Sequence, residues 1–165
     1  MQKNVIDYTK SQVFWLVLLR VFIGWHFLYE GLVKLFNSDW TSYFYLMDSQ
    51  GFMKDFFQDI ANNPTLLSVV DFLNVWGLVL VGLALIVGCL SRFASIAAIV
   101  LLVAFYLSHP PFVGSSYQMP TEGSYIWIDK NVIEMAALMV LLYFPTSQII
   151  GLDRYIYKFF NKRKK

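Results

Sequence analysis

The chain has 165 residues, 58% of them hydrophobic and 15% charged, with a net charge of +2. Its mean hydropathy of +0.54 is that of a chain whose solvent is the lipid bilayer. No sustained basic patch with interleaved aromatics offers a nucleic-acid surface, so no nucleic-acid partner is expected. The single cysteine, Cys89, excludes an internal disulfide and a Cys-x-x-Cys redox pair. Electron transfer would therefore need a bound cofactor or substrate, or another subunit. The polar start, MQKNVIDYTKSQ, and the long apolar run after it do not read as a cleavable signal peptide.

Four apolar segments predict an all-α integral membrane protein, a four-helix bundle in one domain over 1–165, with spans at about 14–36, 69–90, 93–109 and 126–144. The first, Phe14–Phe36, is long enough to cross a bilayer, yet it carries Arg20, His26, Glu30 and Lys34. Each such group costs about 2.5–3.5 kcal/mol at mid-bilayer unless it faces another helix or a wet cavity. The second and third segments are joined only at Gly88-Cys89-Leu90-Ser91-Arg92, where Gly88 reads as a helix C-cap. Between the first two lies Asn37–Ser68, an external connection in which Tyr43–Ile60 reads as a short amphipathic helix on the surface. Asn62-Asn63-Pro64-Thr65 reads as the turn into the second span. The connection 109–125, with three prolines and two glycines, reads as an irregular loop.

Lysine and arginine set the expected orientation. Lys3, Lys10, Arg92 and the tail Lys158, Lys162, Arg163, Lys164 and Lys165 fall on one side of four helices, while both long loops are poor in them. Both termini are thus expected in the cytoplasm. Trp15, Trp40, Trp76 and Trp127 near span ends suit an aromatic belt.

At about 100° per residue, Phe27, Gly24, Gly31 and Lys34 lie within about 40° of Arg20, with Glu30 and His26 further round on the same side. Glu30 precedes Lys34 by four residues, the favoured order for a helical ion pair, and His26 precedes Glu30 by four. Gly24 and Gly31 would let another helix approach closely. Glu30 and Lys34 align in depth with Asp71, His109, Asp129, Lys130, Asn131 and Glu134, which implies a polar pocket open to the outer side. The candidate ligand- or proton-binding residues are Arg20, His26, Glu30, Lys34, His109, Lys130 and Glu134. Each has a structural alternative: a charge pair holding the bundle, an Arg20 snorkelling to the interface, a hydrogen-bonded core His26, a His109 that only caps a helix. No spacing matches a metal motif. The unequal depths of His26 and His109 disfavour a haem.

The sequence resembles the DoxX/DoxD-like family of small four-helix bacterial membrane proteins. The resemblance rests on Arg20, Gly24, Phe27, Gly31 and Lys34 within LRVFIGWHFLYEGLVKL, on GLALIVGCLSRFASI from Gly82 to Ile96, and on Lys130-Asn131 within DKNVIEMAAL. Ser108–Phe112 and the terminal GLDR, Gly151–Arg154, add to it. The family takes its name from a subunit of a thiosulfate:quinone oxidoreductase. The resemblance implies a multi-pass protein of the bacterial inner (cytoplasmic) membrane, with a membrane quinone as cofactor or substrate and a redox or periplasmic protein as partner. The expected function is a quinone-linked redox protein or oxidoreductase subunit. The alternatives are a non-catalytic anchor or scaffold, and a small transporter or sensor with an outward-facing polar pocket. Related four-helix redox proteins use Cys-x-x-Cys pairs; their lack here argues against thiol–disulfide chemistry by this chain.

Overall fold

A computed structural model describes residues 8–112, 117–118 and 126–162. Lys3, the tail cluster at 163–165 and most of the 109–125 loop lie outside the described residues. Within them the fold is helical: α1 (Lys10–Leu35), α2 (Tyr43–Met47), α3 (Lys54–Asn62), α4 (Pro64–Val87), α5 (Ser91–Ser108), α6 (Lys130–Tyr143), a 3-10 turn (Thr146–Gln148) and α7 (Asp153–Lys162). Three of them, α1, α4 and α5, are long and apolar enough to cross a membrane.

Local chemistry explains the helix limits. Thr9 and Gln12 form a reciprocal capping box that starts α1. Asn63 Oδ1 accepts the N–H groups of Thr65 and Leu66 at 3.1 and 3.2 Å, and Pro64 opens the helix. These two signals start α4 at Pro64, five residues before the apolar run at Val69. Gly88, at φ +70°, ends it in the left-handed conformation that glycine adopts without a Cβ penalty. Asp129 Oδ1 accepts from Val132 N at 3.0 Å and starts α6. At 14 residues α6 is about 21 Å long, shorter than the ~30 Å hydrocarbon layer.

The largest interface joins α1 to α4, and further contacts run α4–α5, α5–α6 and α6–α1. Glycine sets the first of these. A Cβ on Gly82 would lie 2.4 Å from Leu28 N, and one on Gly31 would lie 2.8 Å from Val79 N. The two backbones are thus in near contact, as small residues allow in membrane helices. Ile23, Phe27, Leu78, Val81, Leu85, Ala98, Leu102 and Leu138 fill the shared core. Large side chains such as Phe22, Trp25, Leu73, Leu80, Val100 and Ile133 stay exposed, which suits a surface wetted by lipid.

The connection between α1 and α4 departs from the expected single amphipathic helix over Tyr43–Ile60. It forms two helices, α2 and α3, broken around Gly51, whose φ is +79°. A Cβ there would meet Pro110 at 3.0 Å. Leu46, Phe57 and Ala61 form a second small core against Leu67 and Val70 of α4 and Leu107 of α5. This cap closes one end of the molecule. The 88–91 turn marks the opposite, hairpin end.

Candidate functional site

The seven predicted polar residues do not form one seam. They separate into a hairpin-end junction, a mid-helix pair and a cap-end cluster.

At the hairpin end, Arg20 is only 3% exposed. It does not snorkel; its side chain turns inward. Nη1 donates to Thr146 Oγ1 at 3.3 Å and Nη2 to the Ile150 carbonyl at 2.9 Å. Asp153 lies close enough to act on it electrostatically. The Asp153 carboxylate accepts Leu90 N–H at 2.6 Å and Ser91 N–H at 3.1 Å. It therefore caps α5, whose own N-cap residue, Leu90, has no side-chain oxygen to do so. Burial alone would raise the Asp153 pKa, but hydrogen bonds from Ser147, Leu90 and Ser91 hold it below the usual value. The segment after α6 is stitched to the turn by Asp153 N donating to Gly88 O at 2.9 Å. Gly88 and Gly151 permit this: a Cβ on Gly88 would be 2.9 Å from Gly151 Cα.

Midway along α1, His26 Nδ1 lies 3.0 and 3.1 Å from the two carboxylate oxygens of Glu134 on α6. Glu30 and Lys130 act on His26 electrostatically. Glu30 itself is exposed. The predicted Glu30–Lys34 pairing is corrected: among the described residues no such ion pair falls within 4.0 Å. Glu30 faces outward, whereas Lys34 is drawn inward by neighbours on other elements.

Those neighbours form the cap-end cluster. Lys34 Nζ donates to Asn74 Oδ1 at 3.0 Å and sits 5.1 Å from the Trp40 ring centre and 5.6 Å from that of Phe105. Aromatic faces attract a desolvated ammonium by about 2 kcal/mol. Beside it, His109 stacks on Tyr45, with ring centres 3.9 Å apart, and packs against Tyr117 at 4.7 Å. Its Nδ1 is 3.0 Å from Ser108 Oγ, and its Nε2 is 3.9 Å from Asp48 Oδ2. Two acidic residues expected in the pocket serve as anchors instead. Asp71 accepts from Thr41 Oγ1 at 2.9 Å, from Ser42 N at 2.8 Å and from the Ser42 hydroxyl, fixing the start of the cap to α4. Asp129 caps α6. Asn74, Trp40, Tyr45 and Asp48 were absent from the predicted site. Asn74 did carry a signal, an amide inside an apolar span.

His109 lies one residue past α5. Burial pushes its imidazole down to about 4, against the opposing pull of Asp48. The folded cap thus refuses a proton that the unfolded chain binds below about pH 6.5. The stabilising contribution is complete above that pH and is lost as pH falls from there to about 4. An NMR titration of the His109 ring should show a midpoint near 4, with the cap loosening over the same window. A midpoint near 6.5 would show that the ring is not buried.

The contacts also give relative heights along α1. Lys34 meets Asn74, and α4 continues ten residues beyond it to Pro64, about 15 Å. His26 meets Glu134, and α6 continues only four residues beyond, about 6 Å. His26 and Lys34 are about 12 Å apart along the helix. α6 therefore stops about 21 Å short of the cap end of α4, and the His26–Glu134 pair lies close beneath its start.

Apolar helices with lipid-type surfaces, closed by polar junctions, define a multi-pass helical membrane protein. The model of the DoxX family matches residues 15–110, more than half of the chain. The protein belongs to the DoxX family. The matched stretch holds Arg20, His26, Glu30, Lys34 and His109; Lys130, Glu134 and Asp153 lie beyond it. No curated protein and no solved structure matches the chain.

Proposed function

We propose that the chain is a single DoxX-like domain over 1–165, a four-helix bundle of the bacterial inner membrane with α6 as the fourth crossing. Both termini and the hairpin end lie in the cytoplasm, and the cap lies outside. Lys10, Arg92 and Lys158 support this orientation, since all three lie on the side of the hairpin end. Its function is that of a quinone-linked subunit of a membrane oxidoreductase, with the cap-end cluster taking the quinone ring.

The observation that carries this reading is Lys34. It is a half-buried cation whose described hydrogen bond, to Asn74, uses one of its three donors. Two aromatic rings flank it and a second pair, Tyr45 and His109, stacks alongside. A quinone carbonyl supplies the acceptor such a group needs, and the aromatic walls suit a flat ring. His109, the His26–Glu134 pair, Glu30 and Lys130 are the groups able to exchange protons as the quinone is reduced. Electrons come from a redox partner, because Cys89 is the chain's only cysteine. Purified protein titrated with a short-chain ubiquinone or menaquinone analogue should show quenching of Trp40 fluorescence. Lys34→Met should weaken binding about tenfold or more, the value of a hydrogen bond to a charged group. No quenching in the native protein, or equal affinity in Lys34→Met, sinks the reading.

A second reading, a non-catalytic subunit docked on a partner, is favoured by Glu30. A carboxylate exposed on the lipid side of α1 costs less when another chain covers it. Photo-crosslinking from position 29 in native membranes that captures only lipid would remove this alternative.

A further inference from the structure

The hairpin end carries a surface that the redox reading does not use, and its position follows from how α7 is held. Leu152 N donates to Val87 O at 3.3 Å and Asp153 N to Gly88 O at 2.9 Å, while the Asp153 carboxylate caps α5. The first residue of α7 is thus fixed against the turn that joins α4 to α5. Both of those helices are long and apolar enough to cross a membrane, so a turn between them falls at a bilayer surface. α7 starts at that level.

Two kinds of side chain are exposed there. Phe93 is 72% and Tyr155 67% exposed, with Leu90 and Leu152 exposed beside them in the chain. Arg92, Arg154 and Lys158 are exposed as well. Among the described residues none of these three cations has a carboxylate within 4.0 Å. Asp153 is engaged by the α5 backbone and acts on Arg20. The main described neighbour of α7 is the 3-10 turn, so the helix is not packed into the bundle. Helical register extends both features along it. At about 100° per residue, Arg154, Lys158 and Lys162 follow one another four apart on one side, and Tyr155, Ile156, Phe159 and Phe160 take positions on the rest. Arg163, Lys164 and Lys165 follow in the sequence. An apolar arc beside a basic stripe is the pattern of a helix that lies in the membrane interface. A basic cluster of that size next to a span favours anionic lipid.

We infer that the hairpin turn and α7 together bind an anionic phospholipid surface. Leu90, Phe93, Leu152 and Tyr155 enter the boundary between headgroups and acyl chains, and Arg92, Arg154 and Lys158 hold the headgroup phosphates. An acidic protein surface would supply the charge alone, whereas the bilayer supplies charge and an apolar layer at the level where the turn already lies. Because the first residue of α7 is also the cap of α5, lipid that seats α7 holds the Asp153 cap in place. The inference needs the hairpin end at a bilayer surface. It depends neither on which side is the cytoplasm nor on the quinone reading.

The test uses the full chain in lipid nanodiscs, which leave both faces open, made of phosphatidylcholine alone or of phosphatidylcholine with phosphatidylglycerol. Hydrogen exchange of the α7 amides, and of Leu90 and Ser91, should be slower in the anionic discs. The difference should shrink as salt rises. Arg154→Gln combined with Lys158→Gln should lose about fivefold of that protection for each cation removed. The amides of α1 and α4 should stay protected in this variant, which shows that it is folded. Equal exchange in the two lipids, or protection untouched by the double substitution, would overturn the inference. Protection that arises only in native membranes and not in the anionic discs would overturn it too, because a protein would then be what covers the surface. Quinone binding is read separately at Trp40, so either result stands without the other.

Discussion

Gly82→Ala is expected to unfold the bundle or nearly so, although it adds a single methyl group. That methyl would lie 2.4 Å from Leu28 N, 2.7 Å from Gly24 O and 2.7 Å from Leu28 Cα. All three are main-chain atoms of a helix, and none can rotate aside. Relief requires α1 and α4 to part along their whole contact, the largest in the molecule. The penalty is at least the upper end of ordinary overpacking, about 3 kcal/mol. Lys34–Asn74 would be lost with it, since that bond spans the same two helices. Gly77 on the same helix provides the control. A Cβ there meets only Leu101 Cδ1, at 3.6 Å, an ordinary contact. Gly77→Ala should be neutral or stabilise by about 0.5–1 kcal/mol through helix propensity. Thermal unfolding of both variants in the same detergent gives the comparison. Equal midpoints would mean that the helices are not in backbone contact.

Arg20→Met should cost about 3 kcal/mol, although Met matches much of the side chain's volume. The Thr146 hydroxyl and the Ile150 carbonyl lose a charged donor in a buried place, and Asp153 loses its compensating cation. Breaking one side of such a network leaves the other side unpaid, which is why the loss exceeds one hydrogen bond. Arg20→Lys should recover only part of it. An ammonium lacks the planar fork that lets Arg20 reach Thr146 and Ile150 together. The measurement that separates this from a general loss of packing is hydrogen exchange at Leu90 and Ser91. Their N–H groups are held by Asp153, so they should lose protection first in Arg20→Met. Unchanged protection there would show that Arg20 does not brace the junction.

Several features were readable from short stretches. The box of Thr9 and Gln12, the Asn63-Pro64 start, the Gly88 stop and the Asp129 start are all encoded within four residues of the point they decide. The shared face of Arg20, Gly24, Phe27 and Gly31 was also legible, because helical periodicity turns spacing into direction. All four are buried, as that face requires. The same rule put Glu30 and Lys34 together, and there it failed. Spacing shows which side chains can meet on one helix, but a neighbour on another helix outbids them when it offers burial. Asn74, Trp40 and Phe105 do so for Lys34.

The amino-acid sequence by itself determined that this is a helical membrane protein, the Gly88 stop of α4, and which face of α1 turns inward. Tertiary structure alone decided the partners. His26 meets Glu134 across 108 positions, and Asp153 caps α5 from 62 and 63 positions away. Such pairings depend on the relative height and rotation of packed helices. Those follow from backbone contact at Gly24, Gly31 and Gly82 and from the short length of α6, which no local pattern expresses. The physical reason is one of range. Caps and periodicity act over one or two turns, whereas the fit between distant helices is settled only when all their surfaces pack at once.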